Sequence, residues 1–309
     1  MEGLSSLEGW ALIATYFVAM MLLVVFLRKH KKTKEEFLVA NRSMPWLLTA
    51  FSMAATWVWA PSMFVASEKA YTQGLVGVFW FVVPNVLTLL LFAFFANKMR
   101  KLRPEGWTFS DYIREKYSKR CHNLFLIESF GLQTMSFAVQ LLAGATIFSK
   151  ITGISFTATT IVMALCPLAY TFASGIRSSI ITDFWKMLWI VVVLLLGLPI
   201  MFSSAGPEAL FNGLGGVNGG FSDLFSGNGL MVTLSFGIPT TIGLLSGTFG
   251  DQMFWQRVFC VKADKVKRTM ITAAFIFAVV PISLAVFGFF AAGAGLAISD
   301  TQFTNVGAV

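Results

Sequence analysis

Residues 70–103 read AYTQGLVGVFWFVVPNVLTLLLFAFFANKMRKLR. No charge occurs from position 70 to 97, and then Lys98, Arg100, Lys101 and Arg103 follow in quick succession. A helix needs about 20 apolar residues to cross a bilayer core of about 30 Å. Positive charge flanking such a helix collects on the cytoplasmic side. The stretch therefore reads as a membrane span that ends in the cytoplasm. The same pattern recurs outward in both directions, with charge-free runs at 9–27, 43–67, 129–149, 151–176, 187–207, 224–250 and 269–299.

Composition agrees with that pattern. Of 309 residues, 56% are hydrophobic and only 12% charged, against about 25% charged in ordinary soluble domains. The net charge of +8 could suggest a nucleic-acid partner, but its placement argues otherwise. Segments 28–42, 98–122, 177–186 and 251–268 hold 21 of the 23 Lys and Arg residues. Only Lys69 and Lys150 lie in the alternate connections. Every basic cluster falls on one side of eight crossings, so the charge marks topology and nucleic-acid binding is not expected. The predicted molecule is an all-α, multi-pass protein of the plasma (cytoplasmic or inner) membrane with an external N-terminus.

The first run is no signal peptide, because Glu2 and Glu8 precede it and its basic cluster follows it. Cys121, Cys166 and Cys260 offer no disulfide framework. The two histidines, His30 and His122, have no close Cys or His partner, which leaves metal or nucleophilic catalysis unsupported. Neither GxxxxGK[ST] nor GxSxG occurs. An enzyme is not expected, and neither is a cofactor.

Eight spans are predicted, at about 9–27, 46–67, 75–97, 124–149, 155–174, 183–204, 229–250 and 268–296. Pro45 fits an early helical position of the second. Residues 108–115 form an amphipathic stretch at the interface, and 205–228 is a Gly-rich external loop that could include a short helix. The second and seventh spans share an interruption by small and polar residues, Ser52–Thr56 in one and Ser246–Gly250 in the other. Such matched interruptions point to broken helices in transporters with inverted repeats, although small residues also serve close helix packing.

Three motifs give these spans a family. Phe37-Leu38-Val39-Ala40-Asn41-Arg42 with Pro45-Trp46 resembles the loop between the first two helices of the sodium:solute symporter family. Gly175 to Asp183, GIRSSIITD, resembles that family's signature before the sixth helix. Asp251 to Val258, DQMFWQRV, with Lys262-Ala263-Asp264, resembles its segment after the seventh. Trp57-Val58-Trp59-Ala60, Gly77-Val78-Phe79-Trp80 and Asp251–Gln256 are most similar to the urea-transporting branch of fungi and plants.

The resemblance implies a five-plus-five inverted repeat. Residues 1–45 would hold an extra span and loop, 46–204 the first repeat, 205–228 the external loop, and 229–309 the first two helices of a second repeat. That second repeat is expected to be truncated, the chain reading as the N-terminal part of a longer symporter. The resemblance also implies a sodium ion held by the carbonyls of Ala55 and Val58. Some relatives carry an acid where Trp57 stands, so a site here leans on carbonyls and hydroxyls. Asp183 would lie on the inward path of the released ion. Its alternatives are a carboxylate at a helix N-terminus or a partner for Arg177 or Lys186.

Solute is expected where the broken helices meet near the midplane. The candidates are Trp57, Trp59 and Ser62, then Phe81 and Asn85, then Gly247 and Thr248. Gln133 and Gln140 share a face of the fourth span and either bond across helices or line a polar path. Asp251 reads as a cap of the seventh helix. With no obvious fixed charge, such a site suits a small neutral polar solute, urea among the possibilities. The implied partners are that solute, Na+ and the lipid bilayer. A membrane sensory module of a symporter-like signalling protein is the alternative function.

Overall fold

The structure, a computed structural model, describes residues 4–27 and 33–297, apart from the side chains of residues 27, 60–62, 170–174 and 205. The basic run 28–32 with His30, the last residues of the expected second-repeat segment, and the Ser62 side chain lie outside what is described. The first apolar run forms α1 (Ser6–Leu27). A short helix α2 (Lys34–Val39) follows, capped by Thr33, whose Oγ1 accepts from the Glu36 amide at 3.0 Å. The chain then turns through Ala40, Asn41 and Arg42, with φ of 50°, 52° and 54°. Left-handed geometry costs a non-glycine residue roughly 1–2 kcal/mol, so something must hold the turn. Glu36 accepts from Asn41, Glu35 pairs with Arg42, and Arg42 Nη2 donates to the Glu105 carbonyl at 2.8 Å.

Pro45 leads into α3 (Trp46–Trp57). Helical geometry then stops. Val58 (φ −80°, ψ 83°) leaves helical geometry, Trp59 (φ −94°, ψ 159°) is extended, and α4 (Ala60–Leu102) begins. Gly74, at φ 52° and ψ −148°, divides α4 into 60–73 and 75–102. A side chain there would place Cβ 2.4 Å from the Leu214 carbonyl oxygen. The expected second span is therefore two half-helices, 46–57 and 60–73, and the third is 75–102.

Next come α5 (Phe109–Lys116), α6 (Lys119–Thr152), α7 (Phe156–Ser174) and α8 (Ile176–Asn212). The chain continues through α9 (Gly227–Val232), a π turn at Thr233–Gly237, α10 (Ile238–Gly250), α11 (Gln252–Cys260) and α12 (Val266–Gly293). Among the described residues, six stretches are long and apolar enough to cross a membrane: Ser6–Phe26, Met63–Leu102, Lys119–Thr152, Ile176–Ser204, Gly227–Gly250 and Ala263–Gly293. Of the other two expected spans, the second is broken and the fifth holds the shorter apolar segment Phe156–Ala169. Beyond the sixth span, helix runs on to Asn212 through a bend at Gly206, so part of 205–228 is helical.

One expectation is corrected outright. Residues 251–268, read as a basic loop, contain α11, in which Phe254, Trp255, Arg257, Val258, Phe259 and Cys260 are buried. A scan for charge-free runs ends at Asp251 and Arg257, yet both side chains are buried against partners inside the bundle.

The helices pack through small residues. Ala50, Ala54, Ala93, Ala96, Ala273 and Ala274 are fully buried between α3, α4 and α12, and a Cβ at Gly288 would meet the Ser67 carbonyl oxygen at 2.1 Å. Lipid is as apolar as Leu, so close backbone approach and dispersion hold such helices together. Around this core, α3 is enclosed by α8, α11 and α12. The outward faces of α1, α6 and α8 expose Phe26, Phe130, Val193, Leu195 and Ile200, which a bilayer would cover.

The basic segments meet at one end of the bundle. Arg177 pairs with Glu36 at 2.9 Å, the Met44 amide donates to the Cys260 carbonyl at 3.0 Å, and Phe109 stacks on Trp255 with ring centroids 4.3 Å apart. Gly175 (φ 71°) lets α8 start against α2, where a Cβ would sit 2.7 Å from the Phe37 carbonyl oxygen. All three sequence motifs lie in this layer.

Candidate functional site

Both interrupted helices open onto one cavity of about 180 Å³. Thr56, Trp57 and Trp59 line it from the α3–α4 break, and Gly243, Leu244 and Gly247 from α10. Asp251, Met253 and Phe254 come from the α10–α11 junction, and Leu132, Ser136 and Gln140 from α6. An α-helix leaves its last carbonyls without intrahelical donors. At the end of α3 the Ala54 carbonyl accepts from the Val58 amide at 2.9 Å, and helical geometry stops at Val58 and the extended Trp59 before α4 begins. Ala55 and Val58 thus bracket the end of α3, where backbone oxygens lie beside the interruption. Hard cations bind such oxygens without a buried fixed charge.

Aromatic rings stiffen the wall. Trp57 makes edge contacts with Phe254 and Phe277 at 5.1 and 6.4 Å. Its indole Nε1 is buried with no acceptor among the described residues. Asp251 lies at the other break. Its Oδ1 accepts from the Met253 amide at 2.7 Å, capping α11, and from Gln133 Nε2 at 2.8 Å. The expected cap is therefore present, but at the start of the next helix and on the cavity wall.

A second polar cluster lies toward the basic end. Asp183 Oδ2 accepts from Ser52 Oγ at 2.8 Å and from Arg257 Nη2 at 2.7 Å. Arg257 Nε also donates to Ser52 Oγ at 2.9 Å, and its Nη1 to the Met253 carbonyl at 3.0 Å. The three side chains join α3, α8 and α11 below the cavity. Arg257 is buried and Asp183 half-buried, and each has the other as charged partner with further hydrogen bonds, as a low-dielectric interior requires. Of the partners expected for Asp183, Lys186 approaches only to 3.8 Å and Arg177 pairs with Glu36 instead.

Of the other expected solute residues, Trp57, Trp59 and Gly247 come together on the cavity. Phe81 and Asn85 do not. Phe81 packs with Ala66 and Val82, and Asn85 Nδ2 donates to the Phe81 carbonyl at 2.6 Å within its own helix. Thr248 is buried with its hydroxyl on the Leu244 carbonyl at 2.9 Å. Gln133 bonds across helices and Gln140 lines the cavity. Phe254 escaped notice in the sequence because it sits among other aromatics. The signal for Asp251 was present, as a lone acid between two apolar helical stretches.

The model of the sodium:solute symporter family matches residues 37–308. A urea active transporter of Saccharomyces cerevisiae is 26% identical over 60% of this chain and 26% of its own length. The urea-proton symporter of Oryza sativa subsp. japonica is 21% identical over 91% of this chain and 44% of its own. The solved structure of a Na+-coupled sialic acid symporter, in a substrate-bound outward-open state, superposes with a TM-score of 0.67 at 18% identity. That alignment covers 96% of this chain and 64% of the solved one, and is a likeness of fold. The chain thus spans well under half the length of the two curated relatives. These relatives are transporters and not enzymes. With its family model matched almost from end to end, and its two interrupted helices set around one cavity, this multi-pass membrane chain belongs to the sodium:solute symporter family.

Proposed function

We propose that the protein takes part in cation-coupled symport of a small neutral polar solute, urea foremost, by alternating access. The observation that carries this is the cavity bounded by both helix breaks. Its volume of about 180 Å³ is below the ~300–1,000 Å³ of pockets for drug-sized ligands. Na+ is the proposed coupling ion, with the carbonyls of Ala55 and Val58 among its ligands. The Ser52–Asp183–Arg257 cluster closes the inward side, and Asp183 meets the ion on release once the cluster opens. The site faces a plasma membrane bilayer, with the N-terminus outside.

Uptake of labelled urea by the full-length protein in proteoliposomes tests this proposal. An inward Na+ gradient should drive accumulation above equilibrium, and dissipating the gradient should abolish it. Equilibration that ignores every cation gradient would sink the symport reading. The buried Asp251 carboxylate and the rice relative's name favour a second reading, coupling to protons. Accumulation driven by a pH gradient in Na+-free medium would establish it in place of sodium.

A further inference from the structure

We infer that Asp251 selects the solute, its Oδ2 accepting N–H donors of a small planar amide held among Trp57, Trp59 and Phe254; this rests on the proposed transport of a small neutral solute. Asp251 is buried on the cavity wall. Both of its hydrogen bonds, from Gln133 and Met253, fall on Oδ1. Among the described residues Oδ2 accepts none, and no cation pairs with the carboxylate. The nearest arginine in sequence, Arg257, is committed to Asp183, Ser52 and the Met253 carbonyl. A Cβ added at Gly250 would lie 2.9 Å from a Glu128 carboxylate oxygen, which places a second acid near Asp251, while Arg257 is the nearby positive charge and does not bond to it.

With no protein donor, Oδ2 is left to water or to a solute in the cavity, and an ionised acceptor stripped of both is costly. A bound solute that supplies N–H groups removes that cost, whereas one that lacks them leaves the carboxylate bare. That asymmetry is the strongest source of discrimination available to a binding site. Trp57, which lines the same cavity, carries an indole N–H that is buried with no acceptor among the described residues and that a turn of the ring would bring to a solute. One acceptor and one donor match the N–H and C=O of an amide. An anion would meet the carboxylate, and a simple organic cation would offer the indole no acceptor. Flat faces on Trp57, Trp59 and Phe254 suit a planar molecule.

The test is competition and kinetics of urea uptake by the full-length protein in proteoliposomes, with urea, N,N′-dimethylurea and tetramethylurea as probes. In the unaltered protein, competition should weaken as N–H groups are removed and vanish for tetramethylurea. Asp251→Asn keeps an N-cap acceptor for Met253, so folding should survive, as checked by a monodisperse elution profile. Its KM for urea should rise about tenfold or more, the loss expected for a hydrogen bond to a charged group, and its discrimination among the ureas should flatten. Asp251→Glu should restore part of both. A KM within about twofold of the unaltered protein, with tetramethylurea still excluded, would overturn the role of Asp251 and leave the transport reading intact. Asp251-dependent uptake of a quaternary ammonium in preference to urea would overturn the amide assignment. If the unaltered protein carries no amide at all, the transport reading falls and this inference with it.

Discussion

Arg257 is the residue whose environment constrains it most. Its guanidinium serves Asp183, Ser52 and a backbone carbonyl at once while almost wholly buried. Removing one side of a buried ion pair leaves the other charge stranded, at a cost of about 3–5 kcal/mol. Arg257→Ala should therefore lower the melting temperature of the detergent-purified protein sharply. Asp183→Asn in that background should recover part of the loss, and additive losses would show that the two residues are not coupled. Asp183→Ala is also expected to slow Na+-driven uptake severely. Uptake at the normal rate by that variant would remove its place on the ion path.

Two breaks and one hinge decide what the helices can do. The α3–α4 break exposes backbone oxygens, the α10–α11 junction brings a carboxylate to the cavity, and Gly74 turns α4 back across the bundle. Gly74→Ala would put a Cβ on a backbone conformation (φ 52°, ψ −148°) that is essentially glycine's alone, about 1–3 kcal/mol, and press it onto the Leu214 carbonyl. A melting temperature lowered by several degrees is the expected result; no change would mean the backbone relaxes there. The position of α11 also makes a prediction about thiols. Cys121 is exposed and Cys260 is buried, so a maleimide should label Cys121 readily in the folded protein and reach Cys260 only after denaturation. Rapid labelling of both would contradict the packing of α11 under α3.

For the whole molecule, orientation follows from the gathering of the basic segments at one end. On the proposed orientation, with the basic end in the cytoplasm, an impermeant maleimide should label Cys121 only after cells are permeabilised. Labelling of intact cells would invert the topology. The bundle is held by small residues along α4 and α12 and by lipid-covered outer faces. Its stability is therefore expected to depend on the detergent or lipid that replaces the bilayer.

Much of this was legible in order along the chain. Charge-free runs of membrane length identify the spans because lipid penalises every charge it touches. Three local motifs identify the family, and the small-polar interruptions at Ser52–Thr56 and Ser246–Gly250 lie close to the breaks that form. Pairings across the bundle were not legible. Asp183 looks along its own helix to Arg177 or Lys186, and it does pair loosely with Lys186 at 3.8 Å, yet its short bond is to Arg257 from another helix. Asp251 and Arg257 look like loop charges until α11 folds them inward. The linear order of charge and hydrophobicity by itself determined that this is a membrane helix bundle. Only the tertiary structure decided which charges are buried, since a charge enters the bundle only when packing brings partners from distant helices to meet it.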